Sequence, residues 1–147
     1  MTIDTFIFLP LGYIFIVGNL FYDLQLSEEY LGCPSVNLIP LGIVLFMVGI
    51  TGNFYHHYLL SKLRKDGQKQ YCVPQGGLFG YVVCPHYFFE VIEFLGVAFI
   101  CQTPFAFCVV AMMFFGLVGR SISTKSWYMK KFEDFPSHRK ALIPFLM

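Results

Sequence analysis

The stretch "CPHYFFEVIEFLG", residues 84–96, reads as part of a helix solvated by lipid, yet it carries His86, Glu90 and Glu93. Spacings of four and three residues put all three side chains on one helical face. Ionisable groups are costly in hydrocarbon, and there they face a bundle interior or a watery cavity. The stretch therefore predicts a membrane helix whose polar stripe is turned toward neighbouring helices.

Composition carries the same reading to the whole chain. Of 147 residues, 56% are hydrophobic and 13% are charged, with a mean hydropathy of +0.63. Soluble domains carry about 25% charged residues. A net charge of +1 offers no nucleic-acid surface. Four stretches, 5–22, 36–60, 77–101 and 103–119, are apolar over a length suited to spanning, which takes about 20 residues. The expected fold is all-α: a single membrane domain over 1–147, a bundle of about four transmembrane helices, and a cytosolic amphipathic carboxy-terminal tail. The first stretch contains Pro10 and Gly12, which predicts a kink. It has neither the basic start nor the small-residue cleavage site of a signal peptide.

All ten Lys and Arg residues fall in two places. Lys62, Arg64, Lys65 and Lys69 share one loop; Arg120, Lys125, Lys130, Lys131, Arg139 and Lys140 share the tail. The segment 23–35 has none of them but holds Asp23, Glu28 and Glu29. By the positive-inside rule both basic segments are cytosolic, the acidic one lies opposite, and both termini are cytosolic. The five cysteines form no CxxC and no zinc spacing, so most read as small buried hydrophobes.

Further polar groups gather at helical spacing. In "GNFYHHYLLSKLRK", residues 52–65, the residues Asn53, His57 and Arg64 share a face near the cytosolic end. They serve either as hydrogen bonds between helices, with Arg64 a topology anchor, or as the wall of a polar cavity. His56, His57, His86, Glu90 and Glu93 are metal-ligand types, but adjacent histidines on a helix point about 100° apart. No HExxH is present, so no metal is expected. Arg120, Thr124, Tyr128 and Lys131 fall on one face of the tail. That face suits either an interfacial helix anchored by Trp127 or an anion site, since an arginine fork matches phosphate. No phosphate-binding glycine motif occurs, and "PQGGLFGYV" at 74–82 is a turn signal entering a span.

Three blocks, "GNFYHHYLLSKLRK", "YCVPQGGLFGYVVCPHYFFEVIEFLG" and "WYMKKFEDFPSHRKALIPF", together resemble the carboxy-terminal domain of the steroid 5α-reductase family, with a plant-like character. The resemblance covers residues 37–147 in the family's order and is weaker before them. It implies a multi-span oxidoreductase of the endoplasmic reticulum membrane. Such an enzyme uses NADPH to reduce a carbon–carbon double bond conjugated to a carbonyl, in a steroid-like lipid. By the same resemblance the polar stripe is part of an NADPH pocket. Asn53, Arg64, Glu90, Arg120 and Tyr128 fall at cofactor-contacting positions. His57 stands where relatives often have Asp, and His86 where many have Asn. Glu93 matches a commonly acidic, supporting position.

The resemblance also implies an expectation about extent. Complete members carry further amino-terminal spans that hold the acid and tyrosine polarising the substrate carbonyl, and no equivalent pair is read near Met1. A truncated form is therefore expected to keep the cofactor half. "GGLF" fits steroid-type members better than polyprenol reductases, and enoyl-thioester reductases stay open. Two other classes stay open as well: an isoprenylcysteine-type membrane methyltransferase, whose motif is loosely similar to residues 84–96, and a non-catalytic membrane interaction protein.

Charge placement makes a direct prediction. Cysteine-accessibility labelling is expected to find residues 62–70 and 125–140 on one side of the membrane and residues 24–34 on the other. Labelling of the tail and the acidic segment from the same side would overturn the four-span topology.

Overall fold

A computed structural model describes residues 3–30, 34, 36–63, 72–144 and 146. Four helices follow in order: α1 (Ile3–Tyr30), α2 (Ile39–Lys62), α3 (Pro85–Cys101) and α4 (Pro104–Lys131), with a short 3-10 turn at Gly77–Gly80 ahead of α3. No strand forms among the described residues, so the all-α expectation holds. Of the four helices, α2 and α4 are long and apolar enough to cross a membrane by length and composition. Large apolar side chains point outward along the bundle, among them Phe54 at 72% and Phe115 at 71% exposure.

Three boundaries differ from the sequence reading. The stretch expected to span from residue 77 becomes helical only at Pro85. Proline lacks the N–H that a helix interior needs and is preset for the first turn, so α3 starts there. Its 17 residues give about 25 Å, short of a hydrocarbon core of about 30 Å. The second difference is that α4 runs on to Lys131. The tail segment from Arg120 to Lys131 is thus the carboxy-terminal part of α4 and not a separate interfacial helix. Nothing between Arg120 and Lys131 breaks a helix, and Lys130 and Lys131 suit the negative end of its dipole. Third, α1 continues through the acidic segment to Tyr30, because Leu, Gln and Glu are good helix formers there.

The bundle is organised by α2 lying against α3. A Cβ added at Gly49 would sit 2.5 Å from the Glu93 backbone nitrogen, and one at Gly96 would sit 2.5 Å from that of Phe46. Side chains cannot occupy such gaps, so the two backbones meet because glycine stands at the crossing. Around it, Leu20 of α1, Ala98 of α3 and Ala106 of α4 form a small buried core with Ile16, Val97 and Val110 packed on it.

Two polar devices close the ends. At one end Gln102, left-handed at φ 54°, stops α3. Its Oε1 accepts from the Leu38 N–H (3.2 Å) and its Nε2 donates to the Val36 carbonyl (2.6 Å). Thr103 then caps α4 by accepting from the Ala106 N–H. At the other end the tail returns to the start of α3. The Lys140 N–H donates to the Tyr81 carbonyl (2.8 Å), and the Val83 N–H donates to the Lys140 carbonyl (2.9 Å). Arg139 donates to the Pro74 carbonyl (3.0 Å). The segment that links the turn to α3 is therefore held by the tail.

Gly49→Leu is expected to lower stability by about 1–3 kcal/mol or more, as overpacking does, read as a fall in thermal midpoint in detergent. Gly116→Ala, where an added Cβ meets nothing within 4 Å, is expected to be neutral or to stabilise by up to about 1 kcal/mol. Equal effects at the two positions would contradict the close crossing.

Candidate functional site

A cavity of about 390 Å³ lies between α1, α2 and α3. Ile16, Val17, Leu20, Phe46, Phe94 and Val97 give it apolar walls, while Tyr13, Asn53, His57, Glu90 and Glu93 supply its polar groups. Each helix contributes by its periodicity. Asn53 and His57 are one turn apart on α2, and Glu90 and Glu93 are one turn apart on α3, so both pairs face the same space.

Hydrogen bonds fix the polar groups. The Asn53 amide Nδ2 donates to the His86 carbonyl at 3.1 Å, which ties α2 to the first turn of α3 and leaves Asn53 Oδ1 to accept. The Tyr13 hydroxyl donates to Glu90 Oε1 at 2.8 Å; the ring stacks on Phe94 at 6.4 Å between centroids. His57 and His86 lie ring to ring at 4.9 Å. His57 is exposed and His86 is buried, and His86 Nδ1 has no hydrogen-bond partner among the described residues. A buried imidazole nitrogen left in that state is a group that a ligand can satisfy.

Not every residue singled out from the sequence meets in this cavity. Asn53, His57 and Glu90 line it, Glu93 joins them, and His86 stands directly behind His57. Arg120 and Tyr128 are placed on α4, outside the lining. Tyr128 stacks on Phe132 and Phe135 at 6.0 and 5.5 Å. Arg64 lies outside the described residues, as does Cys33. Among the described residues no group of three or more His, Cys, Asp or Glu side chains is arranged to hold a metal ion.

The profile of the family described as 3-oxo-5-alpha-steroid 4-dehydrogenase matches residues 3–147. The chain belongs to this family. It is 38% identical over 146 residues to 3-oxo-5-alpha-steroid 4-dehydrogenase 2 of Sus scrofa, covering 95% of the chain and 57% of that relative. It is 42% identical over 108 residues to the human type 2 protein, covering 72% and 42% respectively. The type 1 protein of Mus musculus is 38% identical over 106 residues, 72% of the chain and 42% of the relative. The chain thus spans about half the length of the curated relatives it matches. Of the classes left open by the sequence, these matches support the steroid 5α-reductase family.

Sequence reasoning missed Tyr13 and the structural role of His56. Tyr13 sits in an apolar run 77 residues from its partner Glu90, and no spacing rule connects the two. By residue type His56 reads only as a metal ligand, but the structure buries it to 3% exposure beside the turn at 77–80. The available signal was that adjacent residues on a helix point about 100° apart, so His56 and His57 meet different neighbours.

Tyr13→Phe keeps the stacking on Phe94 and removes only the donor to Glu90. Thermal unfolding is expected to show a loss of about 1 kcal/mol, the size of one partly exposed hydrogen bond. An unchanged midpoint would mean that the bond contributes nothing to joining α1 to α3.

Proposed function

We propose that this chain holds the cofactor-binding part of an NADPH-dependent reductase of the endoplasmic reticulum membrane, acting on a carbon–carbon double bond conjugated to a carbonyl in a steroid-like lipid. The observation that carries it is the cavity between α1, α2 and α3. There Asn53 and Glu90, which the resemblance puts at cofactor-contacting positions, gather with His57 against apolar walls, in a chain whose family profile covers residues 3–147. A nicotinamide-type ligand carries amide and hydroxyl groups that donate and accept, and it has a flat ring suited to an apolar wall.

When bound, NADPH supplies hydride to the β carbon of an enone. The protein's own residues bind and orient. Glu90, one oxygen held by Tyr13, offers its other oxygen to an amide or ribose hydroxyl. Asn53 offers Oδ1, and His57 offers a ring nitrogen at the cavity edge. Arg120, Arg64 and Tyr128 are assigned to the anionic and ribose parts, where an arginine fork pairs two phosphate oxygens. Phe46, Phe94 and Val97 exclude water, which strengthens each polar contact inside. Both termini are assigned to the cytosol, where the cofactor is available.

Purified protein in detergent tests the reading. Glu90→Gln keeps an acceptor for Tyr13, so the thermal midpoint is expected to stay within a degree or two. NADPH affinity is expected to fall about tenfold, as for one charge-assisted hydrogen bond. Arg120→Ala is expected to weaken binding by a similar factor. A destabilised Glu90→Gln protein with normal affinity would make Glu90 structural, and unchanged affinity in both variants would retire the pocket assignment.

A further inference from the structure

His56 and the "GGLF" turn are distinctive in the sequence, and neither has a part in the cofactor contacts above. In the structure they meet. The Leu78 N–H donates to His56 Nε2 at 3.1 Å, and His56 Nδ1 lies 2.7 Å from the Gly52 carbonyl. An accepting Nε2 carries no proton in the neutral ring, so the proton is on Nδ1 and is donated to Gly52. Both ring nitrogens are thereby used, and the tautomer is set by its partners.

The ring is held on its faces as well. It stacks on Phe89 at 5.2 Å and 21°, and Phe79 stands edge-on at 5.6 Å. Phe89 immediately precedes Glu90, and a Cβ at Gly52 would collide with the Phe89 ring. From the turn side, a Cβ at Gly77 (φ +51°) would lie 2.8 Å from His56 Nε2. One buried imidazole on α2 therefore touches both the turn at 77–80 and α3. Filling space would need none of these hydrogen bonds, and an apolar side chain would leave the Leu78 N–H without its partner.

We propose that His56 is a positioning residue: it locks the turn at 77–80 and the Phe89 face of α3 onto α2. In that register Asn53 and His57 face His86 and Glu90. The consequence for NADPH rests on the cofactor reading given above, whereas the locking of turn and helix does not.

The test uses the full chain in detergent with His56→Leu, which keeps bulk and loses both bonds, and His56→Gln, which keeps an acceptor near Nε2. Hydrogen exchange over residues 77–84 is expected to speed up about tenfold or more in His56→Leu, and NADPH affinity to fall about tenfold; His56→Gln is expected to restore most of both. In the wild type, ¹⁵N spectra of the four histidines are expected to show one Nδ1–H tautomer signal that His56→Gln removes. Wild-type exchange and affinity in His56→Leu would overturn the proposal, as would a His56→Gln protein no better than His56→Leu. If His56→Leu does not fold, Gly77→Ala strains the same contact from the turn, and wild-type behaviour there would overturn it. If the wild type itself does not bind NADPH, the cofactor reading fails, and exchange at 77–84 decides the role of His56 alone.

Discussion

The close approach of α2 to α3 governs the rest of the molecule. Gly49 meets the backbone of Glu93, and Gly96 meets that of Phe46, at separations that leave no room for a side chain. Helices in lipid gain little from hiding apolar surface from one another, so their association rests on tight packing and on polar contacts. Glycine supplies the first. The second follows from it: only at this separation can the short Asn53 side chain on α2 reach the His86 carbonyl on α3. The polar stripe of α3 is therefore brought against α2 by residues that have no side chain.

The cavity is what remains when α1 completes this pair. Half of its apolar walls, Ile16, Leu20 and Val97, also belong to the small core around Leu20. Its polar groups are satisfied across helices, Tyr13 to Glu90 and Asn53 to His86. Such cross-links let ionisable groups persist among apolar ones, since each lost solvation shell is replaced in part by a protein partner. One buried polar atom beside them, the Nδ1 of His86, has no hydrogen-bond partner among the described residues.

Both ends of the bundle are fixed by polar locks of different kinds. Gln102 joins the α3–α4 corner to the entry of α2 through two side-chain hydrogen bonds. The tail around Lys140 joins the entry of α3 through backbone pairing, and His56 holds the same entry from α2. Residues 77–84 thus lie between two restraints, one from the tail and one from a buried histidine, and the site begins immediately after them.

Much of this was legible in the sequence. Hydrophobicity and the 3.6-residue period gave the helices, and one helical face gathered His86, Glu90 and Glu93, while Asn53 and His57 shared another; these are local properties, fixed by spacing alone. The family could be recognised from three blocks of residues for the same reason. The start of α3 at Pro85 was also available, because proline acts through its own ring. Other features came only with the tertiary structure. The pairing of Tyr13 with Glu90 spans 77 residues, the tail returns to Tyr81 from Lys140, and His56 turns from a ligand type into a clamp on Leu78. A sequence specifies which face a side chain occupies; which neighbour that face meets depends on how closely two backbones pack, and here that distance is set where glycine meets backbone at the α2–α3 crossing.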